Sequence, residues 1–313
     1  MSHQETKKAA VMMEVQRDQE MVFCTDGELF SAQVLRFFNF LVSEIDFILV
    51  HPGVKKLELN GCSWNLMTDI PQQNRSRVRK IDLFSCSINE KGFKDILTRF
   101  SELKELVYCR PLDEIDTHFD MIGYVLEEYG HHLEHLEMHN ESLLPFCTPV
   151  GPLQACMNLK TLDMHLELLI GFLENPRDGQ DEYMDAGFDD EEEDAPNYDE
   201  IYAQVKDWSL VEVLPNSLEK LTLWVEEPKL ATYYNTYERY GAKFEELLTS
   251  DRRFPKLRSV TAPKLELVAE KLHGRLTGWI LDGFTMARIP TVEEAEVAAA
   301  AVSRVLDVEP MAI

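Results

Sequence analysis

The feature that most constrains this chain is a short string written repeatedly along it. "VKKLELNGCSW" at residues 54–64 returns 24 residues later as "VRKIDLFSCSI" at 78–88. The pattern underneath, apolar-x-x-L-x-L, recurs as "VKKLEL" from Val54, "VRKIDL" from Val78, "LKELVY" from Leu103, "LEHLEM" from Leu133 and "LKTLDM" from Leu159. It appears again as "LEKLTL" from Leu218 and, more weakly, as "LRSVTA" from Leu257. Successive starts lie 24, 25, 30, 26, 59 and 39 residues apart.

Each copy alternates apolar and polar residues, which is the period of a strand. Leu57 and Leu59 share one face, as do Ile81 with Leu83, Leu136 with Met138, Leu162 with Met164, and Leu221 with Leu223. Between the strands the period changes to that of a helix. Residues 90–100 bring Phe93, Ile96, Leu97 and Phe100 to one side, and 119–129 bring Met121, Ile122, Val125, Leu126 and Tyr129. Residues 237–248 do the same with Tyr240, Phe244, Leu247 and Leu248. One strand and one helix of this size cannot bury their apolar stripes alone, whereas stacked copies share a continuous core. The expected fold is α/β, a solenoid of irregular repeats with a curved parallel sheet inside and helices outside.

The unit follows L-x-x-L-x-L-x-x-N/C-x-L, with Cys62 and Cys86 at the N/C position of the first two copies. On these residues the sequence resembles leucine-rich-repeat proteins. It is similar to the cysteine-containing subclass typical of F-box substrate receptors, and to fungal F-box/leucine-rich-repeat (L domain-like) proteins in its irregular spacing and acidic insertion. The resemblance covers roughly residues 50–270. It implies substrate recognition for a ubiquitin ligase, with a cullin-ligase adaptor as one partner. The third to sixth copies replace the Cys by Pro111, Glu141, Glu167 and Glu226, and residues 1–50 contain no L-P-x-E-like F-box string.

The repeat sets the expected domains. Residues 1–50 read as an N-terminal extension and degenerate first repeat, with a capping helix at about 31–49. The repeat array occupies 51–270, interrupted by an acidic insertion at 176–200. Residues 271–313 read as a C-terminal cap ending in an Ala-rich helix over 291–310, with Thr291 as its N-cap. The stretch 178–200 holds twelve acids and no Lys or Arg. Such a run repels itself and is expected to be a disordered loop, accounting for most of the 59-residue gap. It reads either as a solubilising insertion or as a dock for a basic partner.

Charge narrows the partners. The 313 residues carry a formal net charge of −25. A nucleic-acid binder needs a basic face, and an anionic membrane surface attracts one, so neither is the expected partner. The first residues lack the apolar run of a signal peptide, and the most apolar stretch, near 38–51, is cut by Glu44 and Asp46. An intracellular protein, cytoplasmic or nuclear, is expected.

No nucleotide-binding loop, zinc-protease motif, nucleophile elbow or calcium loop occurs, so no enzyme and no cofactor are expected. The outward side of the strands therefore carries the candidate site. One outward row runs Glu58, Asp82, Val107, Glu137, Asp163, Thr222, Thr261. The row before it runs Lys56, Lys80, Glu105, His135, Thr161, Lys220, Ser259, and the row after it Asn60, Phe84, Cys109, His139, His165, Trp224, Pro263. The candidate partner-binding residues are Lys56, Glu58, Asn60, Lys80, Asp82, Phe84, His135, Glu137, His139, Asp163, His165, Lys220 and Trp224. Phe84 and Trp224 read either as aromatic anchors in a charged rim or as residues covered by flanking loops. The histidines and acids of "HLEMH" and "TLDMH" read as a partner surface or solvated residues in preference to a divalent-metal site. Cys62 and Cys86 read as buried thiols that pack each turn and donate weak S–H bonds to the backbone. The function expected is a non-catalytic protein–protein interaction module on the concave sheet, F-box-like, or else an acidic leucine-rich-repeat regulator or chaperone of basic proteins acting through 178–200.

Overall fold

Every copy of the motif forms a strand, and the strands lie side by side in the order of the copies. The computed structural model describes residues 34–39, 41, 53–65, 76–110, 119–140, 149–171, 208–224, 233–250, 252–263, 278–282 and 285–289. In chain order these form β1 (Val34–Phe38), β2 (Lys56–Asn60), β3 (Ser63–Trp64), β4 (Lys80–Phe84), β5 (Ser87–Ile88), α1 (Glu90–Arg99) and β6 (Glu105–Arg110). Then come α2 (Phe119–Tyr129), β7 (His135–Asn140), β8 (Thr161–His165), α3 (Leu166–Ile170), α4 (Leu210–Val213) and β9 (Lys220–Trp224). The last are α5 (Tyr233–Thr249), β10 (Ser259–Thr261), β11 (Trp279–Asp282) and β12 (Thr285–Arg288).

The main sheet has the order β1-β2-β4-β6-β7-β8-β9-β10-β12-β11. It is parallel from β1 to β10, and β12 and β11 close it with antiparallel pairings. Parallel neighbours need a crossover of a dozen residues or more, which a repeat of 24 residues or longer supplies. One backbone device recurs at each step. The carbonyl of the motif's second residue accepts N–H groups from the second and third residues of the next copy. Lys55 O accepts from Arg79 and Lys80 at 2.8 and 3.2 Å, Arg79 O from Lys104 and Glu105 at 2.8 and 2.9 Å, and so on to Glu219 O, which accepts from Arg258 and Ser259 at 2.8 and 3.3 Å. The 59-residue gap leaves the ladder unbroken, because β8 and β9 pair directly.

The inward residues are buried as their alternation requires: Leu57, Leu59, Ile81, Leu83, Leu106, Tyr108, Leu136, Met138, Leu162, Met164, Leu221 and Leu223. Against them pack Phe93, Ile96 and Leu97 of α1, with Phe100 just beyond it, and the Phe93 ring stands edge-on to Tyr108 at 5.0 Å. Helix α1 begins at Asn89, whose Oδ1 accepts from the N–H of Gly92, an N-cap that satisfies an otherwise orphaned donor. From α2, Ile122, Val125 and Leu126 enter the core, whereas Met121, expected on the same face, is 38% exposed. From α5 the buried residues are Phe244, Leu247 and Leu248, and the Tyr240 side chain lies outside the described ones.

The ends differ from expectation. Residues 34–38, inside the expected helix of 31–49, are a strand paired in register with β2, Leu35 opposite Leu57 and Phe37 opposite Leu59. Their alternation buries Leu35 and Phe37 and exposes Phe38, so the degenerate first repeat contributes a rung where a helical cap was expected. At the other end the described part of the cap is the β11–β12 pair. The acidic stretch 178–200 and the tail helix of 291–310 lie outside the described residues.

The thiols sit where the repeat puts them. Cys62 and Cys86 are both buried thiols. Cys62 Sγ lies 3.7 Å from Phe37 O and 3.5 Å from Asn60 O. Cys86 Sγ lies 3.4 Å from Leu59 O and 3.3 Å from Phe84 O. Each thiol thus ties the end of its own strand to the preceding one. Among the described residues no helix is long and apolar enough to cross a membrane.

Candidate interaction face

The first two outward rows read from the sequence align as continuous rows across the sheet, and the third aligns over parts of it. Lys56 pairs in register with Lys80, Lys80 with Glu105, Glu105 with His135, His135 with Thr161, Thr161 with Lys220 and Lys220 with Ser259. Glu58 stands beside Asp82, then Val107, Glu137, Asp163, Thr222 and Thr261. Asn60 stands beside Phe84, Phe84 beside Cys109, Cys109 beside His139, and His165 beside Trp224. Pro263 lies past the end of β10.

The rows divide into two halves of different chemistry. Over β1 to β6 each carboxylate meets a permanent cation. Arg36 hydrogen-bonds to Glu58. Lys56 Nζ bridges Glu58 Oε1 at 2.6 Å and Asp82 Oδ2 at 2.7 Å, and Lys80 Nζ lies 3.8 Å from Asp82 Oδ1 and 3.1 Å from Glu105 Oε2. Burial pulls the Lys56 ammonium down in pKa, but its hydrogen bonds to Asp82 and Glu58 outweigh this and leave it raised. Burial likewise opposes ionisation of Glu58, and the hydrogen bonds from Arg36 and Lys56 overcome it, so its carboxyl is lowered. Asp82, expected to face a partner, is only 6% exposed. The lysine on either side covers it, and it serves as the centre of this ion-pair ladder.

Over β7 and β8 the groups in contact with the carboxylates are histidines, and Lys220 on β9 stands apart from them. His139 Nε2 lies 3.3 Å from Glu137 Oε1 and 3.4 Å from Asp163 Oδ1, and His135 Nε2 lies 3.7 Å from Glu137 Oε2. The His139 ring is edge-on to His165 at 5.5 Å and to Trp224 at 6.2 Å. The Trp224 indole N–H donates to Asp163 Oδ1 at 2.7 Å. Burial pushes the Asp163 carboxyl up, and the negative charge of Glu137 adds to it against the indole hydrogen bond and His139. Among the described residues no three His, Cys, Asp or Glu side chains converge as a metal site.

The large apolar side chains of the face are open. Phe84 is 39% exposed and Trp224 37%, so the described flanking segments do not cover them. Asn60 and Lys220 are exposed too, Lys220 at the β9 end of its row. Two residues of this face, Arg36 and Phe38, are absent from the sequence reading because "VLRFF" keeps only the first of the motif's two leucines, with Phe37 in place of the second. Arg36 set between Leu35 and Phe37 was the available signal. Phe38 is 48% exposed and stands two strands from Phe84, about 10 Å by strand spacing. Asn60 lies between them, and Arg36, Phe38, Glu58, Leu59, Asn60 and Phe84 line a cleft of about 170 Å³.

No protein-family model matches the chain, and no curated protein matches it at a significant level.

Proposed function

We propose that the chain is a leucine-rich-repeat solenoid and a non-catalytic interaction module that holds a protein partner on the open face of its sheet. The observation that carries this reading is the placement of Phe38, Phe84 and Trp224, exposed aromatic rings on a rigid sheet among charged side chains. Exposed aromatic anchors in a polar rim supply most of the energy in protein interfaces. None of these rings has a packing role in the core between sheet and helices, so their removal spares the fold. Cys62 and Cys86, at matching positions of successive copies, support the narrower reading of an F-box-like substrate-recognition protein of a ubiquitin ligase.

Capture of cellular proteins by the intact chain, by a Phe84→Ala/Trp224→Ala variant and by Tyr124→Ala tests the reading, Tyr124 being 65% exposed on α2. The face variant is expected to lose the partner while melting like the parent, and the helix variant to keep it. Retention by the face variant rejects the reading. A cullin-ligase adaptor among the captured proteins is the outcome that supports the narrower form.

A further inference from the structure

The carboxylates of the sheet face are held by lysine and arginine at one end and by histidines at the other. From β1 to β6 the alternation Arg36, Glu58, Lys56, Asp82, Lys80, Glu105 sets a permanent positive charge against each carboxylate. At Glu137 and Asp163 the neighbours are His135 and His139, which are charged only when protonated. Asp163 takes the indole N–H of Trp224 and its contact with His139 on the same oxygen, Oδ1. Its second oxygen has no partner among the described residues. The Trp224 ring is pinned by that hydrogen bond, yet 37% of the residue is exposed. A fixed, open indole bonded to one carboxylate, with a second carboxylate one strand further on and no lysine or arginine paired with either among the described residues, is a receptor for a flat cation.

Resting on the reading of this face as a partner surface, we propose that the corner formed by Trp224, Asp163 and Glu137 receives the guanidinium of an arginine carried by the protein partner. A guanidinium stacks on the indole with its flat face while its edge donates in parallel to a carboxylate, which a lysine ammonium cannot do at once. The charge of the whole chain, −25, draws such a segment toward it. At the other end of the face Arg36, Lys56 and Lys80 already pair with Glu58, Asp82 and Glu105, so those carboxylates have less to offer an incoming arginine.

The test uses the full chain labelled with ¹⁵N. The sequence has four tryptophans, and the indole N–H signal of Trp224 is identified by its loss in Trp224→Phe. The probe is the peptide acetyl-Gly-Arg-Gly-amide, with its citrulline and lysine counterparts as controls. The Trp224 signal is expected to shift saturably with the arginine peptide, with a midpoint on the order of millimolar. The lysine peptide is expected to bind several-fold more weakly and the citrulline peptide not to shift the signal. Asp163→Asn keeps an oxygen for the indole N–H and is expected to weaken binding several-fold, as is Glu137→Gln. A Trp224 signal unmoved by arginine, moved equally by citrulline or lysine, or unaffected in its response by Asp163→Asn overturns the proposal. If it is overturned while Phe84→Ala/Trp224→Ala still abolishes partner capture, the reading of the face stands and the arginine does not.

Discussion

The Lys56 ammonium stands 2.7 Å from the Asp82 carboxylate on the neighbouring strand, 26 residues later in the chain. That contact makes an acid tolerable at 6% exposure on the open side of a sheet. Lys56→Met strips Asp82 of its close partner and leaves it only the more distant Lys80. We expect a loss of about 1–3 kcal/mol in urea unfolding, the cost of an underpaired buried charge. Adding Asp82→Leu removes that charge and is expected to restore most of the loss. A double variant as unstable as the single one contradicts the account.

A second buried acid works behind the sheet. Asp95 of α1 accepts the indole N–H of Trp64 at 2.9 Å and pairs with Arg99 at 2.7 Å, on the same oxygen. The Arg99 and Asp95 side chains are 5% and 6% exposed. Asp95→Ala removes the oxygen that both the Arg99 guanidinium and the Trp64 indole N–H use. The expected cost is about 3–5 kcal/mol, read as a drop in the unfolding midpoint with an unchanged slope.

Two helical glycines mark where backbone meets backbone. A Cβ on Gly92 would stand 1.8 Å from the Trp64 carbonyl oxygen, and one on Gly123 would stand 1.9 Å from the Val150 carbonyl oxygen. In an exposed helix, alanine would stabilise by about 1 kcal/mol over glycine. Here overpacking reverses the sign, and Gly92→Ala and Gly123→Ala are each expected to destabilise by about 1–3 kcal/mol. A rise in melting temperature for either variant is the contrary result.

The raised pKa of Asp163 has a definite pH signature. Burial, reinforced by Glu137, favours its protonated form in the folded state. Its contribution to stability is therefore full below the ordinary value of 3.8 and is lost as pH rises through the higher folded value. Asp163→Asn carries no such dependence. The variant's stability relative to the parent is expected to improve between about pH 3 and pH 7, measured by melting at matched ionic strength. A relative stability that declines over that window reverses the assigned sign.

Thiol reactivity distinguishes the cysteines. Desolvation pushes the Cys156 thiol up to about 12. Hydrogen bonding with Cys62 and burial push Cys86 far above the ordinary range. Cys109 lies half-buried on the outward row. A thiol reagent at pH 8 is expected to modify Cys109 in the folded protein and to reach Cys62, Cys86 and Cys156 only after unfolding, as peptide mapping would read.

Much of this arrangement was legible in the order of residues. Strand alternation is a local property, so Leu57 with Leu59 and Ile81 with Leu83 announced which side of each rung is buried. Equal spacing within the motif then implied that the second residue of each copy meets the second of the next, and the outward rows came out in the observed register. The helix faces around Phe93 and Phe244 followed from period alone. Met121 went astray because α2 turns that side outward, which depends on what packs against it.

What the sequence determined by itself is the rung: its length and its buried side. The tertiary structure alone decided how the rungs interact. The strand at 34–38 exists because β2 offers it an edge, and Phe38 becomes a wall of a cleft only beside Asn60 and Phe84. The burial of Asp82 and the histidine contacts of Glu137 and Asp163 depend on which side chains stand one strand spacing apart. That distance is about 4.8 Å in space and 24 or more residues in the chain. A local period carries no information about charges that far apart in sequence; the stacking brings them within Coulomb range and sorts the face into a half paired by lysine and arginine and a half paired by histidine.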